Sequence, residues 1–231
     1  MKSAHVVLTL ALFAAVATAG AQPVTEPIDQ IPMYGGMDRA ADPSLRQADE
    51  TLVTGTTRQY GDRPHASAAF VGNGFAFYKR GDLANAMRRF NQAWLLDPNN
   101  PAAYWGFGTV RLEQGKKCEA MHLLDWALSF DKPVEGMSAD AALMKVQCAV
   151  SNTMFTSETR EALLVASDEI YTHALANESD KGAVYVSIAM AFFWREDDAA
   201  AWAAVKLARQ NGGKVPEAFL QRLRARMPEP K

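Results

Sequence analysis

Between Ser67 and Asp131, apolar and small residues recur every three or four positions with polar residues between them, the spacing of helices that bury one face. Phe70, Gly74 and Phe77 share a face of one segment, and Ala86, Phe90, Ala93 and Leu96 share a face of the next. Gly81 falls between them, where a helix end needs the left-handed conformation that glycine adopts without penalty. Pro98 closes the unit, since proline donates no main-chain hydrogen bond and cannot continue a helix. The pattern predicts two antiparallel helices joined by a tight turn. Gly74 and Ala86 are expected near their crossing, where larger side chains would force the helices apart.

The pattern recurs. Shifting residues 67–100 by 34 superimposes Ala68, Ala69, Gly72, Gly74, Gly81, Ala86, Met87, Ala93 and Asp97 on identical residues at 102, 103, 106, 108, 115, 120, 121, 127 and 131. Phe70, Phe90 and Leu96 meet Tyr104, Leu124 and Phe130. A period of this length marks a stacked helical repeat. A shift of 115 gives a further copy, with Tyr185, Ala189, Phe192, Asp197, Ala201, Val205 and Ala208 in register and Glu196 in place of the turn glycine. Helical periodicity in residues 138–152 and 157–179 predicts a divergent hairpin with a long second helix. Pro216 opens a closing helix, because the last repeat of a stack needs a cover.

With Phe70, Gly74, Phe77, Gly81, Ala86, Phe90, Ala93 and Pro98 in place, the segment resembles the tetratricopeptide (TPR) repeat family. The second copy departs from it at Arg111, in the place of Phe77, and at Lys132, in the place of Pro98; neither change breaks a hairpin. The resemblance implies an all-α, right-handed superhelix of about four hairpins plus capping helices. The expected layout is a leader at 1–21, an extended arm with a short lead helix at 22–66, two repeats at 67–134, a divergent hairpin at 135–180, and a last hairpin with its closing helix at 181–231.

The resemblance also implies that the first helix of each hairpin lines a concave groove that takes a peptide or helix from a protein partner. The face about 100° from the buried one carries Val71, Phe75 and Tyr78, then Trp105, Thr109 and Leu112, then Val186, Met190 and Phe193; Lys79, Glu113 and Trp194 border it. Such a stripe has the composition of interface hot spots. It lacks the lysine and asparagine pattern with which some relatives clamp a terminal carboxylate. The alternative for Phe75 and Trp105 is packing between neighbouring hairpins.

The N-terminus reads as a leader. Lys2 precedes an uncharged, mostly apolar run from Ala4 to Val16, followed by small residues suited to cleavage after Ala21. The run is shorter than the roughly 20 residues of a membrane span. The expected product is an exported, periplasmic protein beginning at Gln22; an uncleaved N-terminal anchor is the alternative. The arm that follows, rich in Pro and Gly, is expected to be irregular. It is expected either to lie in the chain's own groove over Trp105 or to be a plain tether.

Charge and chemistry narrow the function. The formal charge of −2 argues against a nucleic-acid partner. His65, His122 and His173 have no second ligand at metal spacing, and the glycines at 72, 74, 106 and 108 fall inside helices rather than in a phosphate loop. No catalytic constellation, cofactor or metal is expected. Arg80-Gly81-Asp82 falls on a hairpin turn, and Arg222, Arg224 and Arg226 on one solvated helix face. Cys118 begins one expected helix, and the residue facing it across an antiparallel pair falls near 150, within a turn of Cys148. That favours a structural disulfide; two buried thiols are the alternative. The expected function is a non-enzymatic interaction scaffold of the bacterial envelope, with self-association, or a binder or enzyme acting on wall components, as alternatives.

Overall fold

The computed structural model describes residues 26–131 and 134–230; the expected leader lies outside them. Among the described residues there are ten α-helices and no strands. Residues 26–42 form three short 3-10 turns, Ile28–Gln30, Pro32–Gly36 and Arg39–Ala41. Then come α1 (Pro43–Tyr60), α2 (Arg63–Tyr78), α3 (Leu83–Leu96), α4 (Pro101–Glu113) and α5 (Lys117–Leu128). The second half holds α6 (Met137–Ser151), α7 (Ser157–Asn177), α8 (Lys181–Trp194), α9 (Asp198–Gln210) and α10 (Glu217–Arg226). Helices α2/α3, α4/α5, α6/α7 and α8/α9 pack as hairpins, each stacked on the next, giving a helical solenoid.

Local chemistry sets the helix starts. Asp42, Asp62, Asp82, Asn100, Thr156, Asp180 and Asp197 each accept a main-chain N–H of the first turn they precede, satisfying a donor the helix itself leaves open. Gly81 and Gly115 end their turns at φ 76° and 77°, and Glu196 occupies the equivalent turn at φ 62° without being glycine.

The core of the first two hairpins is built around the Phe90 ring, which is fully buried. A Cβ added at Gly74 would lie 2.4 Å from that ring, and one added at Gly106 would lie 2.3 Å from it. One aromatic thus uses two glycines on successive first helices to draw α2, α3 and α4 together. Gly72, on the same helix as Gly74, is by contrast exposed, and a Cβ added there would meet nothing within 4 Å. At Phe77's place in the second hairpin, Arg111 is buried all the same, and carboxylates rather than a ring satisfy it.

In the third hairpin α6 is covered by α5, α7 and α8 and buried along most of its length. Ser187 Oγ donates to the carbonyl of Ala139 at 2.8 Å, so the buried Tyr171 hydroxyl donates to Ser187 at 2.9 Å. Lys145, almost wholly buried, donates to both oxygens of Asp125 on α5 at 2.7 Å. Cys118 and Cys148 are joined by a disulfide, with their Cα atoms 4.7 Å apart, pinning the start of α5 to the end of α6.

Candidate interaction surfaces

The first helices α2 and α4 bring part of the apolar stripe together. The Phe75 ring meets Phe90 edge-on at 5.1 Å and Trp105 at 5.4 Å. Trp105 extends the line to α6, donating from Nε1 to Asp140 Oδ2 at 2.9 Å. Burial pushes the Asp140 carboxyl above its ordinary range; the Trp105 hydrogen bond opposes this and the Glu178 charge reinforces it. Tyr78 donates its hydroxyl to Glu113 at 3.0 Å, tying the ends of α2 and α4. Burial, then that acceptor's charge, holds the Tyr78 phenol well above its usual range. Lys79 and Glu113 are exposed, while Phe75, Tyr78, Trp105, Thr109 and Leu112 are partly covered.

The other stripe residues go elsewhere. Val71 is 8% exposed and belongs to the core. Met190 and Phe193 on α8 pack into a separate hydrophobic cluster with Phe219, Leu220 and Leu223 of α10. The Phe193 ring is 5.6 Å from Phe219 and lies under the Arg226 guanidinium at 4.4 Å. The closing helix thus covers, on α8, the face equivalent to the one α2 presents to α4. Trp194 joins a third cluster and receives the Lys117 ammonium of α5 at 4.3 Å. The three C-terminal arginines are engaged within the chain. Arg224 pairs with Glu217 at 2.8 Å and Arg226 with Asp198 at 3.0 Å, while Arg222 lies over Phe193 at 5.8 Å.

The arm does not lie over Trp105. Residues 26–36 cross α3 and α5, the second helices of the first two hairpins. Asn91, fully buried on α3, accepts from the Tyr34 main-chain N–H at 3.3 Å and donates to the carbonyls of Asp29 at 3.0 Å and Ile31 at 2.8 Å. Arg88, one turn away, meets the Asp29 carboxylate at 2.6 Å. Glu26 lies between Arg111 at 2.5 Å and Lys116 at 2.8 Å. Partial burial works against that carboxylate's charge, but its bonds to Lys116 and Arg111 leave its pKa lowered. Tyr34 is buried beneath the Arg39 guanidinium at 4.1 Å, and burial pushes its phenol up to about 12.

None of these arm contacts follows from periodicity. The clearest pointer in the sequence is Arg111, a cation at a core position, which requires carboxylates beside it; Glu119 of its own hairpin supplies one at 2.8 Å and Glu26 of the arm another. Among the described residues no group of three or more metal-ligating side chains is placed to hold an ion, and no helix is long and apolar enough to cross a membrane.

Compared with known families, residues 74–115 match the TPR repeat. The matched stretch runs from Gly74 on α2, against the Phe90 ring, to the left-handed Gly115 that ends α4. No curated protein and no solved structure matches the chain. The TPR repeat is a protein–protein interaction module, and residues 74–115 are similar to it.

Proposed function

We propose that the chain is a non-enzymatic scaffold of the bacterial envelope, exported by residues 1–21, that holds a segment of a protein partner against α2 and α4. The observation that carries this reading is the Phe75–Trp105 pair, partly uncovered and rimmed by Tyr78, Lys79 and Glu113. Aromatic side chains at such a rim bury large area at low conformational cost, and the charged border sets orientation. Met190 and Phe193 are engaged by α10, so the surface assigned to a partner is the α2/α4 part of the stripe.

The test is capture from a native envelope extract with the full chain, comparing wild type with Thr109→Arg/Glu113→Lys. Neither substitution removes a core side chain: Glu113 is exposed, and the Thr109 hydroxyl bonds only the carbonyl one turn back within its own helix. A protein held by wild type and lost by the folded variant supports the reading. Equal capture by both places partner binding off this face. Osmotic-shock fractionation with N-terminal sequencing tests export, the expected product starting at Gln22.

A further inference from the structure

We propose that the cleft across α3 and α5 is a second peptide-binding site, distinct from the α2/α4 face, and that the arm is its built-in occupant. Its external ligand is a segment of another protein that carries two carboxylates three residues apart followed by Ile-Pro, as Glu26, Asp29, Ile31 and Pro32 do in the arm.

The body side is built to read such a segment. Asn91 is fully buried on α3, and each of its contacts with the arm goes to main chain: one N–H and two carbonyls. Contacts of that kind recognise the course of the main chain whatever its side chains. Side-chain selectivity comes from three cations. Arg88 takes one carboxylate, and Arg111 with Lys116 takes the other. The Arg111 side chain is only 2% exposed, and a guanidinium so buried needs carboxylates to remain there; Glu119 on α5 supplies one at 2.8 Å and leaves Nη1 to the segment in the cleft.

The arm fits this cleft under strain. Met33 and Tyr34 both sit at φ 52°, in the left-handed region that L side chains seldom adopt, and Gly35 and Gly36 continue it. Non-glycine residues persist there only where the surroundings impose it. The arm also leaves space unfilled. A cavity of about 540 Å³ remains beside Met33, Gly35 and Gly36, walled by Leu123, His122 and a half-exposed Trp126. A strained segment that leaves apolar wall uncovered holds the cleft by being tethered to it, and tethering is a matter of effective concentration. An untethered segment with the same acidic spacing and less strain competes for the cleft.

The experiment uses the full chain and a fluorescein-labelled peptide of residues 26–36, followed by anisotropy. Asp29→Ala/Tyr34→Ala weakens the arm and leaves the cleft intact. This variant is expected to bind the peptide saturably. Wild type is expected to bind it at least about tenfold more weakly, because the tethered arm reduces the competent fraction. Asn91→Leu added to the double variant is expected to abolish binding. Arg88→Glu added to it is expected to lose the native peptide and recover one carrying Asp29→Lys, a rescue that a misfolded cleft would not give. Absence of binding to the double variant, with its helical circular dichroism intact, overturns the proposal, as does binding indifferent to Asn91. A concentration-dependent dimer of wild type, abolished by the arm substitutions, would replace the external ligand with the arm of a second copy.

Discussion

Replacing Gly106 by Ala separates helix propensity from packing at the centre of the solenoid. In an open helix the change stabilises by about 0.5–1 kcal/mol, because glycine loses more backbone freedom on folding. At 106 the new methyl would sit 2.3 Å from the Phe90 ring. The ring has little room to retreat: Gly74 packs against the same ring atoms, where an added Cβ would lie 2.4 Å away, and Phe75 meets the ring edge-on at 5.1 Å. Overpacking of this kind costs about 1–3 kcal/mol, which exceeds the propensity gain. The net expectation is a loss of about 1–2 kcal/mol, or roughly 2–8 °C in Tm for a domain of this size. Gly72→Ala is the internal control. It lies on α2 with nothing near its side-chain position, so it should show the propensity term alone, a gain of about 1–4 °C. Thermal and urea unfolding by circular dichroism read both. A further variant, Phe90→Leu/Gly106→Ala, should be less destabilised than the sum of its single changes by about 1 kcal/mol, because the smaller side chain yields to the methyl. Gly106→Ala raising Tm as much as Gly72→Ala would refute the wedge.

At the last turn, Glu196→Gly removes an L side chain from φ 62° and should stabilise by about 1 kcal/mol; a loss of stability in urea would show that the Glu196 side chain has a role of its own. Reduction of Cys118–Cys148 reopens a loop of 30 residues and should cost roughly 3–4 kcal/mol, read as the difference in urea midpoint with and without reductant; coincident midpoints would contradict it. The raised carboxyl of Asp140 makes a signed pH prediction. Below its ordinary value of 3.8 the acid is neutral folded or unfolded, and its contribution is intact. As pH rises from there through the raised folded value, the folded state holds the proton that the unfolded state releases, and stability falls. Asp140→Asn keeps an acceptor for Trp105 Nε1 and should flatten that fall and raise stability at neutral pH. An unchanged slope between about pH 4 and 7 would show that the fall arises from other groups. Glu26 runs the opposite way. Its lowered pKa means that its hold on Arg111 and Lys116 is lost as pH drops, so acid should lower the protection factors of the arm amides, taken against the intrinsic exchange rate at each pH, before the body melts.

The hairpins were legible because their rules are local. Asp at a helix start, glycine at a left-handed turn and apolar residues at helical spacing act within a few residues of one another, and the 34-residue period repeats them. Even Glu196 could be placed, since the register around it remained although its glycine did not. The stripe was harder, because the same aromatic pattern suits a groove and a seam between helices. Phe75 and Trp105 remain partly uncovered where α4 follows α2, while Phe193, covered to a similar degree, packs against α10. The difference lies in which element arrives next, not in the residues themselves.

The sequence alone therefore determined the helices, their pairing and the turn chemistry, all set by interactions of short range along the chain. Only the tertiary structure decided the course of the arm. Its contacts join Glu26 to Arg111 and Asp29 to Arg88, partners some 60 to 85 residues apart in the chain. No periodicity links such distant positions. Asn91 and Arg111 are an ordinary polar residue and an ordinary cation until folding buries them; once buried, Asn91 needs the carbonyls that the arm supplies, and Arg111 the carboxylates of Glu119 and of the arm's Glu26.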